Sequence, residues 1–378
     1  MRQIWLAFVV LCLSFSAMAA NRIEEWNQDL DVLETRLAAV HPKFKPCGLS
    51  PEIKTEFAQL RQNLEHLSDA EVSVAVQRLL ARVGDGHTLL FPFGMKRGAL
   101  HRLPVMLWQF DDGLFVVQAS DAKAVRRLSP YISHDNDMQL RWAAPFYATI
   151  TEFLVAIGGA KRADAATLTF DDGESITFAS ADIDPSKLDL KLPTPQHRDV
   201  NFWFTKLADD TLYIQLNAIA DAPDKSLSAF GNELHSALAG VHRAILDLRL
   251  NNGGDARKAN DVLKALIAFD TDGGKLAVLT SRMTFSAAQT LATRLDEWTN
   301  ATFVGEPTGS RPNHYGNERS FALPSSGLRG TIASGLNQPI TANDDRETIL
   351  PDVVVTQTAE QYFRRADPVL EAALNRIR

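Results

Sequence analysis

The sequence predicts an α/β fold: a parallel sheet with intervening helices in its last third, a helical N-terminal cap, and an α+β middle region. Three observations carry this expectation. Apolar runs of strand length alternate with helical stretches between residues 244 and 304. Apolar residues recur at helical spacing from Trp26 to Val83. From Thr88 to about residue 200 the chain breaks into short strand-like runs separated by turns.

The first residues, Met1 to Ala20, carry Arg2, a largely apolar run from Ile4 to Phe15, and the small-residue pattern Ala17-Met18-Ala19. That is the layout of a secretory signal peptide, with cleavage expected after Ala19. The run falls short of the roughly 20 residues that span a bilayer, so no stable membrane span is expected after cleavage. The mature chain is then periplasmic or secreted. Cys12 follows Leu11 with no small residue beside it, which argues against a lipid-modified cysteine, and Cys47 alone cannot form an internal disulfide. With 45 % hydrophobic and 22 % charged residues over 378 positions, the composition is globular. The net charge of −7 makes nucleic acid a poor partner.

Residues 1–19 are thus read as signal, 20–83 as a helical region, 84–200 as the middle region, and 201–378 as the sheet domain. Trp26, Leu30, Leu33 and Leu37 make one apolar stripe, and Ile53, Phe57, Leu60 and Leu64 a second. Ser68 with Glu71 is a capping-box pattern opening a third helix that Gly84 stops. In the middle region a helix is expected from Phe146 to Ile157, and a hairpin from Ala165 to Phe178 across Asp171-Asp172-Gly173. Then Ala244 to Leu248, Leu276 to Leu279 and Thr302 to Val304 read as buried strands, with helices from Ala259 to Phe269 and from Ala287 to Trp298. Such alternation gathers loops and helix N-termini at one end of a parallel sheet, where a ligand site belongs.

Ser286 lies at that end, between a predicted strand and a predicted helix. It is either a helix cap or a nucleophile close to free backbone N–H groups. Gly253 and Gly254 end the neighbouring loop, where glycines let the backbone approach a ligand; with the Ala287 N–H they could form an oxyanion hole, or they are an ordinary turn. A serine needs a base. His87, after Gly84-Asp85-Gly86, and His314, in Arg311-Pro312-Asn313-His314-Tyr315, are the candidates near the site, and the residues themselves leave both open. The nine histidines show no metal-ligand spacing, so neither metal nor cofactor is expected.

The blocks Arg82-Val83-Gly84-Asp85-Gly86-His87-Thr88, Ile245 to Arg249 leading to Asn252-Gly253-Gly254, Thr284-Phe285-Ser286-Ala287-Ala288 and Val304-Gly305-Glu306-Pro307-Thr308-Gly309 occur in the order seen in one family. With Leu323 to Gly327 and Pro351-Asp352 they span most of the mature chain. The sequence resembles the S41 peptidases, the tail-specific and C-terminal processing proteases with relatives of tricorn and retinoid-binding type. The resemblance implies a crotonase-like ClpP/S41 sheet-and-helix domain, and a serine nucleophile with lysine or histidine as base. A lysine about 25 residues after Ser286 would fall on Arg311, whose guanidinium cannot accept a proton. No lysine follows Lys275. The resemblance therefore favours the tricorn-like branch, with His87 as base and an acid ahead of Pro351-Asp352. Asp345 is the first choice for that acid, with Asp344, Glu347 and Glu306 open. Arg311 and Asn313 are assigned to substrate binding. The glycine-free run from Ser120 to Asp135 implies that the family's PDZ-like module is reduced.

The expected function is hydrolysis of peptide bonds in a peptide or protein substrate through an acyl-enzyme. A noncatalytic protein that binds hydrophobic ligands or peptides, and an esterase or amidase, are the alternatives.

Overall fold

The computed structural model describes residues 3–96, 98–116, 129–169, 173–182, 197, 199–207 and 210–378, with side chains from Asn21 onward. Residues 117–128, which hold part of the segment read as a reduced PDZ-like module, and 170–172, which hold most of the hairpin turn, lie outside that set. So do the side chains of the expected signal.

Six strands form the central sheet in sequential order: β1 (Phe202–Lys206), β2 (Thr211–Leu216), β3 (Arg243–Asp247), β4 (Lys275–Thr280), β5 (Thr302–Gly305) and β6 (Val353–Val354). From β2 to β6 every pairing is parallel, and β1 runs antiparallel at the edge. Helices α5 (Leu227–Leu238), α6 (Asn260–Thr271) and α7 (Ala287–Trp298) are the crossovers after β2, β3 and β4. Sequential order with crossovers of one hand leaves all three on one face. There Leu212, Ile214, Leu216, Leu246 and Val278 pack against Phe230, Val262, Leu266 and Leu291. The alternate residues Tyr213, Ile245, Ala277 and Leu279 meet Val369 and Ala373 of α8 (Pro368–Arg376) on the other face. Both faces are covered, which is why these strands read as unbroken apolar runs.

At the N-terminus α1 (Gln3–Val40), α2 (Pro51–Asn63) and α3 (Asp69–Ala81) form the cap. The Ser68–Glu71 capping box is present in full. The three apolar stripes converge on one core that also takes in Leu90, Phe321, Leu323, Leu328 and Ile332. The cap thus packs on a small antiparallel sheet in which Leu89–Leu90 pairs with Arg329–Ile332. Asp29 fastens the contact by accepting hydrogen bonds from the Ser325 and Ser326 amides at 2.9 and 2.8 Å. Among the described residues no helix is long and apolar enough to cross a membrane.

The middle region departs from expectation in one place. Instead of one helix from Phe146 to Ile157 there are two, α4 (Asp137–Tyr147) and a short one at Thr151–Ala156. Ile150 between them is extended because it bridges Arg102, while Leu103 N donates to Thr149 O at 2.8 Å. Strand-like pairing interrupts what sequence period alone reads as continuous. Ala165–Thr169 and Ser175–Ala179 form the expected antiparallel hairpin.

Candidate active site

Ser286 occupies the N-cap position of α7 at φ 54°, ψ −119°, and its side chain makes no capping hydrogen bond. A serine that merely caps would accept from the amides of the first turn. Here the hydroxyl lies 2.8 Å from His87 Nε2 instead. A positive φ at a non-glycine residue costs about 1–3 kcal/mol and persists only where its surroundings fix it. They do so here. Phe285 N donates to Asn251 O at 3.1 Å, and Thr284 Oγ1 accepts from Ser281 N at 3.0 Å while donating to Leu248 O at 3.0 Å.

His87 comes from the other end of the chain. Asp85 Oδ1 accepts from the His87 and Thr88 amides, both at 2.8 Å, closing a tight turn of the kind aspartate makes with its own backbone. Asp85 Oδ2 accepts from His41 Nε2 at 3.0 Å, in a contact from which water is excluded on both sides. Lys43 N donates to His41 Nδ1, which assigns the proton to Nε2. Burial works to raise the Asp85 carboxyl, but the hydrogen bonds from His41 and from the His87 backbone amide hold it below its ordinary value. Thr331 Oγ1 donates to His87 O at 2.8 Å, tying the turn to the small sheet. His41 and Asp85 were not singled out from sequence; an aspartate two residues before the histidine was the available signal for the turn, and His41 had none.

The glycine loop sits against the serine. A Cβ on Gly253, at φ 111°, would lie 2.7 Å from Ser286 Cβ, so only glycine fits. Its N–H, expected in the oxyanion hole, donates to Asn251 Oδ1 at 3.0 Å and is taken. This corrects that expectation, since the Gly253 N–H is not free to receive an oxyanion. Ile219 N donates to Gly253 O and Asp255 N to Ile219 O, a parallel bridge that turns the Gly254 N–H to the side away from Ile219. Among the described residues the N–H groups of Gly254 and Ala287 have no acceptor. Gly254, Ser286, Ala287 and His314 line one open, largely polar depression of about 740 Å³.

Asp345 is not brought to this cluster. It is exposed, and His87 Nδ1 has no hydrogen-bond partner among the described residues. The other acids are engaged elsewhere: Asp344 with Arg346, Glu347 with Arg311, and Glu306 in a buried pair with Arg282. Arg311 also donates from Nε to Asp135 O at 2.9 Å, and Asn313 Nδ2 donates to Thr341 O and Asp344 O, so both serve loop structure. His314 is buried, and its ring lies 5.7 Å from that of His87 at an interplanar angle of 15°. Its Nδ1 donates to Arg311 O at 3.0 Å, while its buried Nε2 has no partner among the described residues. Burial pushes His314 below the usual histidine value, with Asp135 opposing and His87 adding to the shift.

The architecture is shared with solved structures. Mature CPAF in complex with lactacystin superposes with a TM-score of 0.62 at 12 % identity, covering 95 % of this chain and 98 % of CPAF. A CPAF mutant gives 0.63 at 12 % identity, covering 94 % and 97 %. The chain shares the fold of CPAF. No family model matches the sequence, and no curated protein matches it. At such identity the likeness is one of fold, and the chemistry of this site rests on its own atoms.

Proposed function

We propose that the chain is an exported serine-type peptidase that cleaves through an acyl-enzyme. The observation that carries this is the Ser286 Oγ to His87 Nε2 contact of 2.8 Å, made by a serine that is strained and does not cap its helix. Ser286 attacks the scissile carbonyl while His87 Nε2 takes its proton and returns it to the leaving amine. Gly254 and Ala287 N–H, at the positive end of α7, receive the oxyanion. Export rests on the Met1–Ala20 pattern. The crotonase-like description suits the sequential βα spiral of the sheet, and the reduced PDZ-like reading of the middle region stays a proposal.

A base needs its second nitrogen held, and we assign that task to His314. With Nε2 of His87 accepting from Ser286, its Nδ1 carries the proton. With Nδ1 of His314 donating to Arg311 O, its Nε2 is an acceptor. A water bridging the edges of the two rings would satisfy both buried atoms and orient His87, whose Nδ1 has no partner among the described residues. His314→Phe keeps the ring and removes the acceptor. Hydrogen bonds to charged groups are worth ~1.5–3 kcal/mol, so kcat is expected to fall roughly tenfold to hundredfold at an unchanged KM. An unaltered kcat removes His314 from the mechanism.

Labelling by a small fluorophosphonate tests the whole reading. The mature chain should be modified at Ser286 and the Ser286→Ala protein should not. Equal labelling of both, or none of either, rejects the serine-enzyme assignment.

A further inference from the structure

A second cavity, of about 370 Å³, is lined by the residues that immediately precede His87 and Ser286. It shares walls with the site: Gly86 precedes His87, Asn252 precedes Gly253, and Phe285 precedes Ser286 and stacks its ring on that of His87 at 4.4 Å. The remaining wall is largely apolar, with Arg102, Ser133, Gln139 and Thr149 as its polar members. Phe91, Phe93, Met106, Trp108, Trp142 and Phe146 all line it and all remain half-buried, so the chain leaves large apolar surface facing one concavity beside the nucleophile. Among the described lining residues Arg102 is the one charged side chain. Its guanidinium lies 5.8 Å over the Phe146 ring, and its Nη2 donates to Val105 O at 2.7 Å.

The two depressions differ in what they can hold. The polar one presents Gly254 and Ala287 N–H and suits a peptide backbone. The apolar one is walled mainly by aromatic and aliphatic residues, and its volume lies at the lower end of the range for ligand pockets, about 300–1,000 Å³. That is room for a bulky side chain. We infer that this cavity is the specificity pocket for one large apolar or aromatic side chain flanking the scissile bond. A cationic side chain is rejected there, because it would meet Arg102 with no carboxylate on the described wall to offset it. The inference rests on the peptidase reading of Ser286 and adds the substrate class.

Its test is a positional peptide library cleaved by the full mature chain, with fluorophosphonate labelling run alongside. One position next to the cleavage point should favour Phe, Leu, Met or Trp over Gly and Lys by about 10- to 100-fold in kcat/KM, the range that burial of such a side chain supports. Ala143, half-buried on the pocket wall, is the site to fill. Ala143→Trp should be labelled at Ser286 at the wild-type rate yet lose most of that preference, and Ala143→Leu should lose part of it. Normal labelling with no apolar preference in the wild-type chain overturns the pocket assignment and leaves the serine chemistry standing. So does an undiminished preference in both filled variants. Absence of labelling in the wild-type chain overturns both.

Discussion

His87→Ala lowers turnover by roughly two to four orders of magnitude, the contribution of a positioned general base. The loss should appear in kcat with little change in KM, since His87 faces the hydroxyl of Ser286. Circular dichroism should report an intact fold, because Asp85 fixes the turn through the backbone amides of residues 87 and 88 and is indifferent to the ring. His87→Gln, which fills more of the same space, should be equally inactive. Full activity in either variant would move the base elsewhere and leave the 2.8 Å contact without a purpose.

The largest effect on stability is expected at Arg249, which follows β3 and is 5 % exposed. It holds two carboxylates at once: Asp247 through Nε and Nη2 at 3.0 and 2.7 Å, and Asp367 through Nη1 and Nη2 at 2.7 and 2.9 Å. The Arg249 backbone N–H also donates to Asp247, at 2.9 Å, and the Tyr213 hydroxyl lies 2.5 Å from Asp247 Oδ2. Burial works against the Arg249 cation, and the two carboxylates raise its pKa in spite of that. Arg249→Leu leaves Asp247, 2 % exposed, as an uncompensated charge. Removing one partner of such a buried set costs about 3–5 kcal/mol, read as a lower urea midpoint. Adding Asp247→Asn should recover part of that. A single-variant loss under about 1 kcal/mol would contradict the network.

The sheet domain was legible because strands covered on both faces, such as Ile245 to Leu248, cannot hide their apolar runs, and because Ser286 sits where strand gives way to helix. Shared spacing with a family pointed to His87. The orienting group was not legible: position along the chain suggested Asp345, but a loop acid next to Arg346 finds its partners in solvent or in its neighbours, and spacing does not encode which atoms burial leaves unpaired. The fate of the Gly253 N–H was hidden for a similar reason, since the Asn251 side chain that captures it reads in sequence as one more loop residue. The apolar pocket draws on residues scattered from 86 to 285, most of them in loops and on α4, so that no single sequence period announces the surface.

His87 and Ser286 lie 199 positions apart, and the turn bearing His87 is held by Thr331, with Ala333 N donating to Thr88 Oγ1. Synthesis delivers these parts in order. A nascent chain that has released only its cap and middle region carries a histidine with no serine, and one that has just released Ser286 still lacks the strand that anchors the histidine. On the proposed mechanism the site is complete only when the chain has emerged past residue 333 and these segments have met, so an unfinished molecule would be chemically silent toward the machinery that makes and moves it.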